Sequence, residues 1–148
     1  MNNSINDLEI FITQNLQTTN NLKNDLEKKE NEKHDQLKDI SLGIIDILDS
    51  FDRVEESLKE KGLSTNEQVY KTINRYSTIK KKLLNLLQKY GVTKIEFPEN
   101  RLIFGLCEVV ETEADSNRNN DEIISIVRSG YIRGKEVIRA AQIILVKN

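Results

Sequence analysis

A chain of 148 residues suffices for one ordinary domain, or for a helical region followed by a small second domain. At 37% hydrophobic and 31% charged it is polar for a folded protein, as an elongated, helix-rich molecule is, and a net charge of -2 provides no global attraction to nucleic acid or an anionic membrane. The one cysteine, Cys107, rules out an intrachain disulfide, and the start MNNSINDLEIF has no basic region followed by a long apolar run, so a cytoplasmic protein is expected, with neither nucleic acid nor membrane as partner.

Residues 4 to about 61 have the periodicity of one long helix or two nearly continuous ones, with Ser4 as a candidate cap. Ile5, Leu8, Ile12, Leu22 and Leu26 make a thin apolar line, interrupted at Asn15 and Thr19. Pairing there should be weak. From Glu27 to Gln36 the sequence EKKENEKHDQ contains no apolar residue, so it is either a solvated stalk or a frayed linker; the helix-forming Glu and Lys favour the stalk. Between Leu37 and Leu58 the pattern strengthens. Leu37, Ile40, Ile44, Ile47, Phe51, Val54 and Leu58 alternate steps of three and four, filling a heptad seam. Leu42, Ile45 and Leu48 widen the stripe beyond what a two-stranded seam needs, which calls for a helix covered from more than one side. A column at strict sevens, Ile5, Ile12, Thr19, Leu26, Lys33, Ile40, Ile47 and Val54, passes through the polar segment in one helical phase.

Gly62 is the expected stop, adopting the left-handed cap. Ser64, Thr65, Asn66 and Glu67 then have the form of a capping box, with Ser64 accepting from the backbone and Glu67 reaching back. The second helix carries Val69, Ile73, Tyr76, Leu83, Leu87 and Tyr90 on one face, with Ile79, Leu84 and Leu86 alongside, and should stop at Gly91. A short turn between two such helices makes an antiparallel hairpin, half of a four-helix bundle.

After Gly91 the sequence turns to β-branched and aromatic runs separated by turn formers. Strands are expected over 92–97, 102–112, 123–127 and 137–146, the last bent at Ala140-Ala141. EADSNRNNDE, between the second and third, reads as a polar hairpin loop. The result is an α+β chain divided into a helical stalk (1–36), a helical hairpin and dimerisation bundle (37–91) and a small all-β domain (92–148). So small a β domain should lean on the helices.

Catalytic chemistry is sparse. His34, the sole histidine, lies in the most polar part of the helix and reads as a solvated side chain. Cys107, between apolar neighbours, reads as a small buried hydrophobe. The glycines lack phosphate-loop spacing. Asp46, Asp49 and Asp52 share a helix face, yet no histidine or third ligand accompanies them, and a solvated rim is the expectation. Lys80-Lys81-Lys82 reads as a solvated helix face, and Arg139, inside an apolar strand, as one side of an ion pair. No enzyme, metal site or cofactor is expected; the chain reads as a binding or structural protein.

Three stretches carry a family resemblance. Ile44-Ile45-Asp46-Ile47-Leu48-Asp49-Ser50-Phe51-Asp52-Arg53 resembles the central helix motif of GrpE proteins. Lys89-Tyr90-Gly91-Val92 resembles the K-[FY]-G-V that leads into their β domain. Gly130-Tyr131 followed by Val137-Ile138-Arg139-Ala140-Ala141 is similar to their G-Y-x(5)-[VT]-[LI]-R-[PA]-A ending, with the same spacing. The three occur in family order across residues 44–148. Two departures accompany them: the aspartate of the family's F-D-P is missing after Phe97, and Phe104-Gly105 stands where the His-Glu pair should fall.

The resemblance implies a homodimer with paired N-terminal helices, a four-helix bundle built from both chains through Leu37, Ile40, Ile44, Ile47, Phe51, Val54 and Leu58, and two β domains. It further implies a nucleotide exchange factor that binds the ATPase domain of a DnaK-type chaperone and hastens ADP release. Contacts are expected from Arg53, Glu56 and Ser57 at the end of the first helix and from Arg133, Lys135 and Glu136 in the turn before the last strand. The alternative, prompted by Phe104-Gly105, is a coiled-coil scaffold or adaptor that has lost exchange activity.

Overall fold

The computed structural model describes residues 2–62 and 65–148. The chain divides into two units, residues 1–39 and 40–148. Helix α1 spans Asn2–Glu60 and helix α2 spans Glu67–Lys89. Six strands follow: β1 (Val92–Lys94), β2 (Cys107–Glu113), β3 (Ile123–Arg128), β4 (Tyr131–Arg133), β5 (Glu136–Arg139) and β6 (Ala141–Val146). This is the expected α+β arrangement of a long helix, a second helix and a small β domain.

In the first unit the described side chains from Asn2 to Gln36 are all exposed, as a stripe of isolated aliphatics among polar residues dictates. Among its described residues none is buried in a core. Both glycine stops are used: Gly62 lies at φ 64 and Gly91 at φ 78, conformations that cost a residue with a Cβ. Ser64, the expected cap of α2, lies outside the described residues. Asn66 is the N-cap observed, its side-chain oxygen accepting from the Gln68 N–H at 2.9 Å.

In the second unit, Ile45 and Leu48 of α1 meet Leu87 of α2 and Val92, Tyr131 and Ile138 of the β domain, with Leu42, Ile44, Leu83 and Leu84 packed around them. The helix face turned toward its own chain is therefore Ser41, Ile45 and Leu48, set beside the heptad seam. Phe51 adds a tilted ring contact with Tyr76, centroids 5.5 Å apart. A second cluster, Ile123, Ala141, Ile143 and Leu145, with Phe97, Leu102 and Cys107 against it, lies within the β domain. As expected, the β domain leans on the helices, since one of its two clusters is completed by them.

The strands form two three-stranded sheets, ordered β1-β4-β5 and β2-β6-β3. Strand β6 pairs in parallel with β2 and antiparallel with β3. The stretch between β2 and β3 is thus no hairpin loop, because β6 separates the two strands. The expected bend at Ala140 is real and divides β5 from β6 across the two sheets. Strand β4, three residues between turns, was not foreseen. The expected second strand is shortened to Cys107–Glu113, preceded by a 3-10 turn at Pro98–Asn100 and further turns.

Gly130 sits where the two sheets meet. A Cβ there would fall 2.4 Å from the Ala141 nitrogen, 2.9 Å from its Cα and 2.8 Å from Ile95 Cδ1, while the Gly130 carbonyl accepts from the Ile95 N–H at 2.9 Å. Backbone atoms cannot step aside as a flexible side chain can. Gly130→Ala should therefore lower unfolding stability by at least about 2 kcal/mol in urea denaturation; Gly43→Ala, with open space around it, serves as the control.

Candidate functional site

The spacing of Asp46 and Asp49 places both carboxylates on one face of α1, and the structure sets two arginines from the β domain against them. Arg139 of β5 meets Asp49 end-on, Nη1 donating to Oδ2 and Nη2 to Oδ1, both at 2.7 Å. The same guanidinium donates through Nη2 and Nε to the Ser129 carbonyl at 2.7 and 3.2 Å. Arg128 of β3 reaches both aspartates, with Nε 2.8 Å from Asp49 Oδ2 and Nη2 3.1 Å from Asp46 Oδ1. Two parallel N–H···O bonds to one carboxylate fix orientation as well as distance.

Electrostatics follow from this geometry. Burial by itself would raise the Asp49 pKa, but hydrogen bonds and charge from Arg139 and Arg128 outweigh it and hold the carboxyl below its ordinary value. Tyr131 lies under Arg139, whose guanidinium carbon is 5.7 Å from the ring centroid. Burial, with a further contribution from Asp52, pushes the Tyr131 phenol up to about 12. A phenol so placed is a structural neutral group.

A second ion pair ties the two helices together. Lys80 of α2 bonds Asp52 and also lies 3.4 Å from Glu55, both on α1. Burial would depress the lysine, yet the Asp52 hydrogen bond and the two carboxylate charges more than offset it and raise its pKa. Of the lysine triplet, Lys80 is thus engaged with α1, while Lys81 and Lys82 are exposed. The aspartates read as a solvated rim are instead the anchoring points of the β domain and of α2. Arg139 is the ion-pair residue its position implied.

The expected partner-binding residues occupy two places. Arg53, Glu56 and Ser57 lie on one face of the last turns of α1; Arg53 and Glu56 are exposed, Ser57 is half-buried, and Arg53 Nη2 lies 3.4 Å from Ser50 Oγ. Arg133, Lys135 and Glu136 surround the β4–β5 turn, where Gly134 takes φ 60 and Arg133 pairs with Glu136 at 3.5 Å. Lys135 is exposed, while Arg133 and Glu136 are half-buried. Of the seam residues, Ile40, Ile47 and Val54 stay 60%, 50% and 43% exposed, while Leu37, Ile44, Phe51 and Leu58 are half-buried.

His34 is exposed, and Cys107 is half-buried, more open than a core residue, with its thiol 3.4 Å from the Ile103 carbonyl. Among the described residues no group of three or more His, Cys, Asp or Glu could hold a metal ion, and no helix is long and apolar enough to cross a membrane.

Fold and site together define a helix-plus-β-domain protein in which charged groups join the elements. The GrpE family model matches residues 1–147, and the chain belongs to the GrpE family. It is similar to the GrpE protein of Ehrlichia chaffeensis, 30% identical over 104 residues that cover 69% of this chain and 48% of the relative. The GrpE protein of Methanosarcina barkeri is 25% identical over 118 residues, 76% of this chain and 52% of the relative. That of Ehrlichia canis is 26% identical over 102 residues, 69% and 49%. The chain spans about half the length of these curated relatives.

Proposed function

We propose that this chain is a homodimeric co-chaperone that binds the ATPase domain of a DnaK-type chaperone and accelerates ADP release. The observation that carries the proposal is the family match over residues 1–147, joined to a helical hairpin with a docked β domain. The exposed Ile40, Ile47 and Val54 support dimerisation. A column of aliphatics left open by the protomer's own core is a surface that association would bury. On this reading 1–36 is a stalk, 37–91 supplies the bundle through Leu37, Ile40, Ile44, Ile47, Phe51, Val54 and Leu58, and 92–148 is the β domain; the protein works in the cytoplasm.

The mechanism involves no bond chemistry. Arg53, Glu56 and Ser57 on α1 and Arg133, Lys135 and Glu136 on the β4–β5 turn form two contact patches. A binder that prefers the chaperone's open nucleotide cleft shifts its population toward that state and speeds ADP escape. The coupling is reciprocal, so nucleotide loosens the complex by the same factor. The arginine-aspartate contacts hold the β-domain patch in fixed relation to the helix that carries the other.

Labelled ADP released from a DnaK-type chaperone of the same source should leave at least about tenfold faster with saturating protein, equivalent to about 1.4 kcal/mol off the release barrier. An unchanged release rate with every such chaperone overturns the exchange reading. A second reading, a scaffold without exchange activity, is favoured by Phe104-Gly105 at the family's His-Glu position; a stable chaperone complex with unchanged ADP release would identify it.

A further inference from the structure

Between Glu99 and Glu122 the sequence carries seven carboxylates and two arginines, a net -5 in a chain whose whole charge is -2. Strand β2 runs through this stretch. It is an edge of its sheet, and among the described residues it pairs only with β6. The Leu106 carbonyl accepts from the Ala141 N–H at 3.0 Å and the Glu113 carbonyl from the Lys147 N–H at 2.9 Å. With the parallel register and its slip between Val109 and Glu111, these bonds fix the alternation. Backbone groups of Glu108, Glu111 and Glu113 turn toward β6. Those of Cys107, Val109 and Thr112 turn outward, where a further strand would take them up.

The side chains from Glu108 to Glu113 are exposed, Val109 and Val110 included. At the head of the strand the turn from Ile103 to Leu106 presents Phe104, 89% exposed, beside a cleft of about 500 Å³ that it shares with Glu99, Asp121, Glu122 and one cation, Arg101, paired with Glu99 at 3.4 Å. An aromatic ring left in water next to an open strand edge is a place for contact. Charge selects the occupant. A second copy of β2 would set Glu108, Glu111 and Glu113 against their counterparts, and like charges opposed across strands destabilise pairing. A segment with lysine or arginine alternating with aliphatic residues would satisfy the carboxylates, the valines and the backbone together.

We propose that the outer edge of β2 is a docking site for an extended cationic polypeptide segment, which adds to the sheet as a further strand. This does not depend on the exchange reading.

The test is amide chemical-shift mapping of the isotope-labelled full chain against a blocked peptide of about ten residues, a strand's length, alternating valine and lysine. Shifts should concentrate at Cys107, Val109 and Thr112, and a valine-glutamate peptide should bind at least about tenfold more weakly. Val109 gives β6 no N–H, so proline there leaves the existing ladder intact and should weaken peptide binding at least about tenfold. Should Val109→Pro fail to fold, the double variant Glu108→Lys with Glu111→Lys decides, since it should reverse the preference between the two peptides. Equal binding of both peptides, shifts confined to other elements, or none at millimolar peptide would overturn the proposal. Shifts that depend on protein concentration without peptide would also overturn it, because a second copy would then occupy the edge.

Discussion

Replacing Asp49 with asparagine should lower the stability of the β domain against α1 by about 3 kcal/mol, near the lower end for removing one partner of a buried ion pair. The side chains of Asp49 and Arg139 are each 13% exposed, so a neutral amide leaves a largely buried guanidinium with only the more distant, exposed Asp46 carboxylate, 3.6 Å from Nη1, as counter-charge. The measurement is urea unfolding, with hydrogen exchange at the β4–β6 amides to locate the loss. Arg128, whose side chain is 43% exposed, provides the contrast: Arg128→Ala should cost no more than about 1 kcal/mol, because solvent screens its pairs. The same carboxylate sets a pH dependence. Its folded pKa lies below the ordinary 3.8, so its contribution is complete above 3.8 and is lost as pH falls through the lower folded value. In Asp49→Asn that part of the acid slope should vanish, and a slope unchanged from the parent would assign the acid sensitivity to other carboxylates.

The second large effect is on assembly. Ile47→Asp should convert a dimer into a monomer in light scattering at micromolar concentration, since the new carboxylate would be buried without a partner between two chains. The protomer should stay folded. Ile47 is half-exposed within its own chain, and the α1–α2 core is built from Ser41, Ile45 and Leu48 on the adjacent face. Ile45→Asp should instead unfold the second unit, because Ile45 is completely buried in the protomer. A dimer that survives Ile47→Asp would place the interface on another face, and the exposed Ile79 and Leu86 of α2 would be the next to test.

Much of the helical part is legible without coordinates because its determinants are local. Alternating steps of three and four set the phase of α1, and glycines able to take positive φ end both helices within a residue or two of the expected place. The pattern could not divide the apolar stripe between its two duties. Ile45 and Leu48 face the chain's own core, whereas Ile40 and Ile47 do not, although all four are equally aliphatic. That division depends on where α2 and the β domain pack, which is non-local.

The β domain was less legible for the same reason. A run of β-branched residues identifies β6, but its pairing with β2 in parallel on one side and β3 on the other joins segments far apart in sequence. The three residues of β4 are too few to show an alternation. Asp46 and Asp49 are a further case: their spacing fixed a shared helix face, and only the tertiary structure brought Arg128 and Arg139 to it across 79 to 90 residues of chain.

By itself, then, the sequence determined the helices, their ends, the change to a β domain after Gly91 and the motifs that mark the GrpE family, all encoded in spacings of a few residues. The tertiary structure decided which face of α1 stays open, which strand becomes the edge, and that three aspartates on a helix serve as anchors. Those are properties of what comes to lie opposite a residue, and long-range packing and charge pairing fix them.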